Sequence, residues 1–335
     1  MNALPPLGIA IPTYKRPDQL RLCLRSIVRA AAGRELPILV ADDSTDDTNL
    51  GVIAELRREH PALIHHRNPR NLGIDANIVN SVDLCPARHV WIMGEDDRLL
   101  PQAVDRVLEV LALGERPFVY VNYASVDESL TLVLRERSLP LAADAEESAE
   151  QFLAEHAWSM GFIGACVVDK ELWGSVRRER YLGTWYAHAG SVLEYLRGRR
   201  AYLVSEPLVL NRCGAPGAFT WADSTFDVLD GWRRMVALLR GGYPDPVCDR
   251  AVESFQRAHG IGSIAFFAYL RAGGALDLQS WRRFVRDGPW PWRNRAAAWA
   301  MARLDRRIFQ AAAAGLMELR RRRNRRLTPE RTPPP

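Results

Sequence analysis

The amino-acid sequence predicts an α/β fold: a mostly parallel sheet flanked by helices, with an added helical region towards the C-terminal end. In the first third of the chain, short apolar segments alternate with segments of helical periodicity. Proline, glycine or a polar cluster follows the apolar segments, as turns between strands and helices require. Strands that alternate with helices of about 10–15 residues are typical of βαβ units and parallel sheets.

Five short apolar segments fit buried strands, and in chain order they are Leu7–Ile11, Pro37–Ala41, Ala62–His66, His89–Met93 and Phe118–Tyr123. A helix is predicted after Pro17, because apolar side chains recur there at helical spacing from Leu20 to Val28. Further helices are predicted between the later strands, at Leu50–His60, Ile74–Leu84 and Pro101–Leu113.

Beyond residue 124 the alternation is less regular. Helices are predicted at Lys170–Val176 and His188–Arg197, and short strands at Ala201–Val204 and Leu208–Leu210. After Thr225 every signal is helical, and the predicted helices are Thr225–Leu239, Pro246–Arg271, Leu276–Val285 and Arg293–Arg323. We therefore predict an α/β domain over 1–212 in two halves (1–124 and 125–212), a helical region over 213–323 and a disordered tail over 324–335.

The composition is that of an ordinary globular protein, with 47% hydrophobic and 25% charged residues. The net charge of +5 belongs to the tail, because residues 320–331 carry +6 and the remainder −1. Five scattered cysteines without a CxxC pair favour reduced thiols in a cytoplasmic protein. No apolar stretch approaches the roughly 20 residues that span a bilayer, so we expect no membrane-spanning helix.

Several common enzyme classes are excluded by missing motifs. The first predicted strand is not followed by GxGxxG, and no GxxxxGK[ST] occurs, which argues against dinucleotide-binding and P-loop proteins. No GxSxG occurs either, which argues against a serine hydrolase of the α/β type.

The segment Val90–Pro101 places a glycine and three carboxylates directly after a buried strand. Two other predicted strands also end in polar clusters, Pro12–Arg16 and Asp42–Asp46. Because the carboxyl ends of parallel strands meet at one edge, these clusters should converge on a binding site. Carboxylates there suit Mg²⁺ or Mn²⁺, whereas an isolated acidic turn would simply cap the helix near Pro101.

Read together, these motifs resemble family 2 glycosyltransferases with the GT-A fold, over roughly residues 7–212. The resemblance rests on four segments in order: Ile9–Pro17, Val40–Asp46, Asn71–Ile78 and Gly94–Asp97. The third is similar to the NxGxxxN stretch of the abequosyltransferase-like branch, and the fourth stands where the DXD motif belongs. The resemblance implies a nucleotide-sugar-binding half over 1–124 and an acceptor half over 125–212.

The resemblance also implies residue roles. Asp97 is expected to bind the metal and so to be catalytic, Glu95 to reach the metal or the ribose, and Asp96 to support either. Pro12, Thr13, Tyr14 and Arg16 are expected to frame the base and phosphates of the donor.

Asp42 is expected to hydrogen-bond the base, although the alignment allows Asp42 and Asp43 to exchange roles. For Asp46 and Asp47 we expect caps of the following helix. Asn71, Asp75 and Asn77 fit turn and cap positions, but the resemblance favours a donor contact for at least one of them.

Inverting members of the family need a base that takes the proton of the acceptor hydroxyl. The family commonly uses a Glu-Asp pair at a helix start, which this sequence lacks. His188 lies close to that position and is predicted as the base, with Glu194 as the weaker candidate and a packing role for His188 as the alternative. Trp185 and Tyr186 are predicted either to stack on a sugar ring or to pack in the core.

Tryptophans among arginines mark the C-terminal helices. Basic amphipathic helices of this kind lie on anionic membranes, so a peripheral contact at the inner face of the membrane competes with simple core packing. No nucleic-acid recognition motif accompanies the arginines, and we expect no nucleic-acid partner.

The predicted function is transfer of a sugar from a nucleotide-diphosphate sugar to a hydroxyl acceptor, with Mg²⁺ or Mn²⁺ as the cofactor. Inversion at the anomeric carbon is the expected stereochemistry. The acceptor is either a lipid-linked glycan of bacterial surface polysaccharide or a small secondary metabolite such as an antibiotic. A nucleotidyltransferase acting on sugar phosphates and a non-catalytic nucleotide-sugar-binding protein are the alternatives.

Overall fold

The structure is a computed structural model that describes residues 4–130, 132–213 and 221–327. Its described residues divide into two compact units. The first comprises Met1–Gly214 with Gly231–Ser254, and the second comprises Ala215–Asp230 with Phe255–Pro335. The predicted boundary at residue 212 therefore needs correction, because residues 231–254 cluster with the α/β part of the chain.

The strands of the described residues are β1 (Leu7–Thr13), β2 (Ile38–Asp42), β3 (Leu63–Arg67), β4 (His89–Ile92), β5 (Arg98–Leu99), β6 (Phe118–Val126), β7 (Val133–Arg135), β8 (Ala145–Ser148), β9 (Cys166–Asp169) and β10 (Arg200–Arg212). They form one sheet in the order β3-β2-β1-β4-β9-β6-β10-β5, with β7 on β6 and β8 on β10. The predicted α/β class is confirmed, but the sheet is mixed and not mostly parallel, because β5, β7, β8 and β9 pair antiparallel with their neighbours.

The helices of the first unit are α1 (Pro17–Ala31), α2 (Leu50–Glu59), α3 (Ile74–Leu84), α4 (Ala103–Ala112), α5 (Ala149–Glu155), α6 (Lys170–Gly174) and α7 (Ala187–Tyr195). α8 (Trp221–Leu239) and α9 (Asp245–Ala258) follow, and the division between the units falls within α8 and near the end of α9. The second unit continues with α10 (Ile264–Gly273), α11 (Leu278–Ser280), α12 (Trp292–Arg303) and α13 (Arg306–Leu327).

The apolar segments of the sequence become the centre of the sheet. β1, β2 and β4 are buried along their whole length, whereas β3 at the edge is partly exposed. β1 pairs in parallel with both β2 and β4, so their carboxyl ends lie at the same edge. β9 runs antiparallel between β4 and β6, which the sequence did not indicate.

The last strand differs most from its prediction. The two short strands predicted over 201–210 are one strand, β10, which bends at a register shift between Val204 and Val209. β10 is parallel to β6, and its final residues pair with β5 immediately after the acidic segment. The end of β10 thereby reaches the edge where β1, β2 and β4 end.

Two predicted C-terminal helices are interrupted. The helix predicted over Pro246–Arg271 breaks where Gly260 and Gly262 adopt positive φ, and Ser263 then caps α10. The helix predicted over Arg293–Arg323 breaks at Leu304, whose backbone is extended. α13 continues to Leu327, so the helix extends into the predicted tail 324–335, whose remaining residues lie outside the described part.

The second unit has its own core, formed by Phe267, Leu270, Leu276, Val285, Ala298 and Ala302. In the part of the chain that the structure describes, no helix is long and apolar enough to cross a bilayer.

Candidate active site

The acidic segment Glu95-Asp96-Asp97 follows β4 at the edge where the parallel strands end. A tight turn holds it, because the Asp97 N–H donates to the Gly94 carbonyl at 3.3 Å. A Cβ at position 94 would collide with the Asp97 carboxylate, so the carboxylate can keep this position only beside a glycine. The glycine of the sequence motif thus allows the third carboxylate to fold back over the turn.

Asp97 is buried, and only one of its oxygens has a hydrogen bond. Its Oδ1 accepts the backbone N–H of Arg212, the last residue of β10, at 3.1 Å. Within the described residues, Oδ2 accepts no hydrogen bond. Burial, followed by the charge of Asp96, raises the pKa of Asp97 well above its ordinary value.

Glu95 and Asp96 are partly exposed and share one arginine. The Arg16 guanidinium lies 3.3 Å from Glu95 Oε1 and 3.4 Å from Asp96 Oδ2. Burial and the neighbouring Asp96 nevertheless raise the pKa of Glu95 to about 7, and burial raises the pKa of Asp96. Arg16 therefore pairs with two of the three carboxylates, and the positive charge of Arg212 also acts on Asp96 and Asp97. The pKa values of all three carboxyl groups are nevertheless raised, so their negative charge is incompletely neutralised.

This donor set fits a hard divalent cation. Carboxylate oxygens are the ligands that Mg²⁺ and Mn²⁺ prefer, and Mg²⁺ commonly takes one or two of them together with substrate phosphates. Among the described residues, no three Asp, Glu, His or Cys side chains form a closed metal site. The free oxygen of Asp97 and the raised pKa values fit an open site that a ligand completes.

The segment that follows β1 reaches the same edge. Thr13 is buried, and its Oγ1 has no hydrogen-bond partner among the described residues, whereas the Tyr14 ring is exposed. Lys15 has a positive φ of 54° and donates its N–H to Ser44 Oγ at 2.9 Å. Pro12 is buried within β1 opposite Ala41, which argues against the predicted donor contact of its side chain.

Asp42 is enclosed by the protein, which argues against the predicted hydrogen bond from its carboxylate to the base of the donor. Its Oδ1 accepts the Ser44 N–H at 2.9 Å and the Asn49 amide at 3.0 Å, and His65 Nε2 lies 3.4 Å from Oδ2. Burial works to raise the pKa of Asp42, but these hydrogen bonds outweigh it and the pKa is lowered. The Asp42 carboxylate is fully buried and its oxygens already accept hydrogen bonds from the protein, so it stabilises the loop after β2.

Asp43 also belongs to a protein network. It accepts the Asn68 amide at 2.6 Å and the Gly73 N–H at 3.2 Å. Asn68 also donates to Asn77, whose own amide donates to the Ala41 carbonyl at 3.1 Å. Asp43 and Asn77 therefore join β2, β3 and α3, and neither fits the donor contact predicted for it.

Asn71 remains at the surface of this edge. Its Oδ1 accepts the Gly73 N–H at 2.8 Å, which forms the turn before α3, and the residue is exposed. Asp46 and Asp47 are exposed as well: Asp46 accepts the Thr48 N–H and pairs with Lys15, and Asp47 pairs with Arg67.

Asp75 links α3 to the start of α7, which argues against its predicted donor contact. Its two carboxylate oxygens accept the backbone N–H groups of Trp185 at 2.9 Å and Ala187 at 3.3 Å. Trp185 is partly exposed and has a positive φ of 70°, a conformation that costs a bulky residue free energy. Asp75 thus stabilises a strained turn that presents an aromatic side chain.

His188 is buried in α7, behind this turn. Its Nε2 lies 2.7 Å from the Met160 carbonyl, and burial lowers its pKa. Neither nitrogen is positioned to receive a proton from an acceptor, so the structure favours the packing alternative over the predicted base. Glu194 accepts the Tyr181 hydroxyl at 2.7 Å and pairs with Arg180, which also argues against a catalytic role.

Tyr186 packs in the core, with its ring edge-on to Trp232 at 5.2 Å between centroids. Sequence reasoning missed two residues of the site, Asn68 and Arg212. Their positions could have been predicted, because parallel strands end at one edge of a sheet. Asn68 comes directly after β3, and Arg212 ends β10. Arg212 was missed because the last strand was predicted to stop at Leu210.

Comparison with known proteins agrees with this architecture. Residues 8–166 match the family model described as Glycosyl transferase family 2. The chain is also similar to the Abequosyltransferase RfbV of Salmonella typhimurium, at 24% identity over 62% of this chain and 66% of that protein. It is 25% identical, over 32% of this chain and 34% of the relative, to the GalNAc(5)-diNAcBac-PP-undecaprenol beta-1,3-glucosyltransferase of Campylobacter jejuni.

Solved structures show the same fold. S. aureus TarS 1-349 in complex with UDP-GlcNAc superposes with a TM-score of 0.58 at 12% identity, covering 92% of each chain. The mannosyltransferase PcManGT of Pyrobaculum calidifontis, in complex with GDP-Man and Mn²⁺, gives a TM-score of 0.50 at 17% identity, covering 89% of this chain and 86% of that one.

A mixed α/β sheet with flanking helices, and with carboxylates after its fourth strand, is the architecture of the GT-A fold. Residues 8–166 therefore carry a domain of the family 2 glycosyltransferase type. The alignments span 66% or less of the curated relatives described above.

Proposed function

We propose that this protein transfers a sugar from a nucleotide-diphosphate sugar to a hydroxyl group, with Mg²⁺ or Mn²⁺ as the cofactor. The observation that carries the proposal is the incompletely neutralised cluster Glu95-Asp96-Asp97 at the carboxyl edge of a family 2 domain. Negative charge of this kind in a buried site is stabilised when a cation binds. The neighbours crystallised with UDP-GlcNAc, and with GDP-Man and Mn²⁺, support this donor class.

Asp97 and Glu95 would hold the cation, with Asp97 offering Oδ2 while the Arg212 N–H fixes Oδ1. When bound, the cation stabilises the charge that develops on the leaving diphosphate. Arg16 contributes a permanent positive charge beside the phosphates, and the buried hydroxyl of Thr13 offers a hydrogen bond to the donor. The exposed ring of Tyr14 offers a stacking surface for the base, and Asn71 offers an amide at the rim.

On the acceptor side we assign Trp185, which is partly exposed in the strained turn that Asp75 stabilises. An aromatic ring held in this way gives a sugar ring an apolar face at little cost in conformational entropy. Inversion at the anomeric carbon is the expected stereochemistry. The anomeric configuration of the product, determined by NMR, tests this expectation.

For the biological setting we propose assembly of a bacterial surface polysaccharide on a lipid-linked acceptor, at the inner face of the membrane. The names of two relatives, an abequosyltransferase and an undecaprenol-linked glucosyltransferase, support this setting. Glycosylation of a soluble secondary metabolite is the alternative, and activity on a water-soluble acceptor without membranes would favour it.

The test is a thermal-shift screen of nucleotide sugars with and without Mn²⁺, followed by turnover with the best donor. A true donor raises the melting temperature by mass action, and Mn²⁺ should increase that shift. Release of a nucleoside phosphate together with the transferred sugar is expected. Release of pyrophosphate would instead identify a nucleotidyltransferase, and tight donor binding without turnover on any glycan acceptor would favour a binding protein.

A further inference from the structure

Apolar side chains of the second unit lie exposed on α12. This helix contributes Ala298 and Ala302 to the core of the unit, whereas Trp292 is 67% exposed and Trp299 is 39% exposed. Residues seven apart lie on one face of a helix, so the two tryptophans form a row distinct from the buried alanines. The core of the unit does not explain this row.

A second exposed row lies on α13. Ile308, Leu316 and Leu319 are 56%, 65% and 63% exposed. At 100° per residue these positions fall within about 80° of one another, so they share one face of the helix. Three large aliphatic side chains on a single exposed face exceed the scattered apolar residues of an ordinary surface.

Strong positive charge accompanies both rows. Residues 292–327 contain eleven arginines and two acids, a net charge of +9, whereas the chain as a whole carries +5. The Arg303 guanidinium lies 3.8 Å from the centre of the Trp299 ring, and that of Arg293 lies 5.6 Å from the centre of the Trp292 ring. Aromatic rings with adjacent guanidinium groups suit the boundary between lipid headgroups and acyl chains.

We infer that Trp292, Trp299, Ile308, Leu316 and Leu319, with Arg293 and Arg303 beside the tryptophans, form a surface that binds anionic lipid bilayers. The arginines attract the headgroups while the apolar rows enter the acyl boundary. Nucleic acid would use the arginines but not the exposed aliphatic row. The inference deepens the lipid-linked setting proposed above and rests on it for its biological meaning, but lipid binding itself needs neither donor nor catalysis.

The experiment is sedimentation of the full chain with vesicles of phosphatidylcholine alone or mixed with phosphatidylglycerol, without any nucleotide sugar. Binding is expected on the mixed vesicles and should weaken as salt is added. Brominated lipid should quench tryptophan fluorescence, and the double variant Trp292→Phe/Trp299→Phe should lose most of that quenching if these rings enter the bilayer.

Two variants separate the apolar from the electrostatic contribution. Ile308→Ser/Leu319→Ser should weaken vesicle binding at least about tenfold, given the free energy of burying each side chain. Arg322→Gln/Arg323→Gln should also weaken binding to the anionic vesicles about tenfold, from the contribution of each charge near such a surface. All variants should keep the wild-type melting temperature.

Leu113→Ser is the matched control, because Leu113 is 66% exposed in the first unit. An equal loss of vesicle binding in this control would overturn the inference. Vesicle binding that does not depend on phosphatidylglycerol would also overturn it, as would stronger binding to RNA than to vesicles. A third contradicting result would be a dimer in light scattering that the variant Ile308→Ser/Leu319→Ser dissociates. Turnover of a soluble acceptor by the non-binding variants would leave the proposed function intact, so the two proposals can fail separately.

Discussion

Asp42 ends β2 and Asp97 follows β4, the two strands on either side of β1, and both residues are buried. Their pKa values nevertheless move in opposite directions. Asp42 accepts hydrogen bonds from Ser44 and Asn49 and lies beside His65, and its pKa is lowered. Asp97 accepts a single N–H, lies beside two further carboxylates, and its pKa is raised. Burial acts on both, so the number of donors and the nearby charge decide the difference.

The difference distinguishes a structural carboxylate from a functional one. A carboxylate whose acceptor sites are filled by the protein stabilises the fold and offers nothing to a ligand. A carboxylate with an open acceptor site and raised pKa is poised to bind a cation, at a cost to stability. Activity and stability should therefore respond in opposite ways when each residue is changed.

The largest expected effect is the loss of activity in Asp97→Asn. The amide keeps an oxygen for the Arg212 N–H but removes the charge, so turnover should fall about 10²- to 10³-fold, as when one electrostatic stabiliser is removed. The melting temperature should stay constant or rise, because a buried negative charge is removed. Nucleoside phosphate release over a Mn²⁺ titration and a thermal melt measure the two quantities.

Asp47→Asn is the control for Asp97→Asn, since Asp47 is an exposed carboxylate of the other acidic segment. A comparable loss of activity in this control would indicate a general effect of charge and remove the distinction between the two segments.

The opposite result is expected for Asp42→Ala. Removal of this carboxylate leaves the Ser44 N–H without its acceptor and the Asn49 amide with Ser44 Oγ alone, which should cost about 1–3 kcal/mol of unfolding free energy. Urea unfolding measures the loss, while kcat of the folded protein should remain near the wild-type value. A loss of activity in Asp42→Ala with unchanged stability would instead indicate that Asp42 contacts the donor.

The pH dependence of this variant follows from the lowered pKa of Asp42. A carboxylate with a depressed native pKa stabilises the fold above its unfolded pKa of about 3.9, and that contribution disappears as the pH falls through the native value. The stability difference between the wild type and Asp42→Ala should therefore shrink in strong acid.

The sequence located the edge of the sheet but not the state of each carboxylate. Glycine and three acids after an apolar strand, and the ends of two other strands, were enough to predict where polar groups converge, and Arg16 and Glu95 do meet there. The hydrogen-bond donors to Asp43 and Asp75 come from distant segments, up to 112 residues away, whereas Asp42 takes Ser44 and Asn49 from its own loop and His65 from β3. No local pattern shows which carboxylate receives such donors.

The prediction of His188 as the base depended in the same way on contacts that the local sequence does not show. Its position relative to the family pattern suggested a base, but burial depends on how α7 packs beside the Met160 carbonyl. Helix periodicity alone did not reveal that nearly every side chain of α7 is buried. Helix breaks were equally hidden, since Gly260 and Gly262 matter through their positive φ in the folded chain.

A smaller effect is expected for Asp75→Ala, which extends the comparison to a third enclosed carboxylate. Loss of the hydrogen bonds to Trp185 and Ala187 should release the strained turn and misplace the ring, which lowers kcat by up to about 10²-fold. The KM for the donor should not change. Steady-state kinetics with both substrates measures this division.

Trp185→Phe is the companion variant for Asp75→Ala, because it keeps an aromatic ring in the turn. It should retain most of the activity if the ring acts as a stacking surface. If Asp75→Ala instead raises the donor KM and leaves kcat unchanged, Asp75 contacts the donor as the sequence suggested.

The smallest effect on activity is expected for His188→Gln. The glutamine amide can still donate to the Met160 carbonyl, so kcat should fall less than about tenfold, whereas loss of a general base would cost about 10²-fold or more. Because burial lowers the pKa of His188, the folded protein keeps this imidazole neutral and loses stability as the pH falls below the unfolded pKa of about 6.5. His188→Gln should remove that part of the acid-induced loss, which thermal melts between pH 5 and pH 8 measure. A drop of kcat by about 10²-fold, together with loss of the acidic limb of the pH–rate profile, would identify His188 as the base after all.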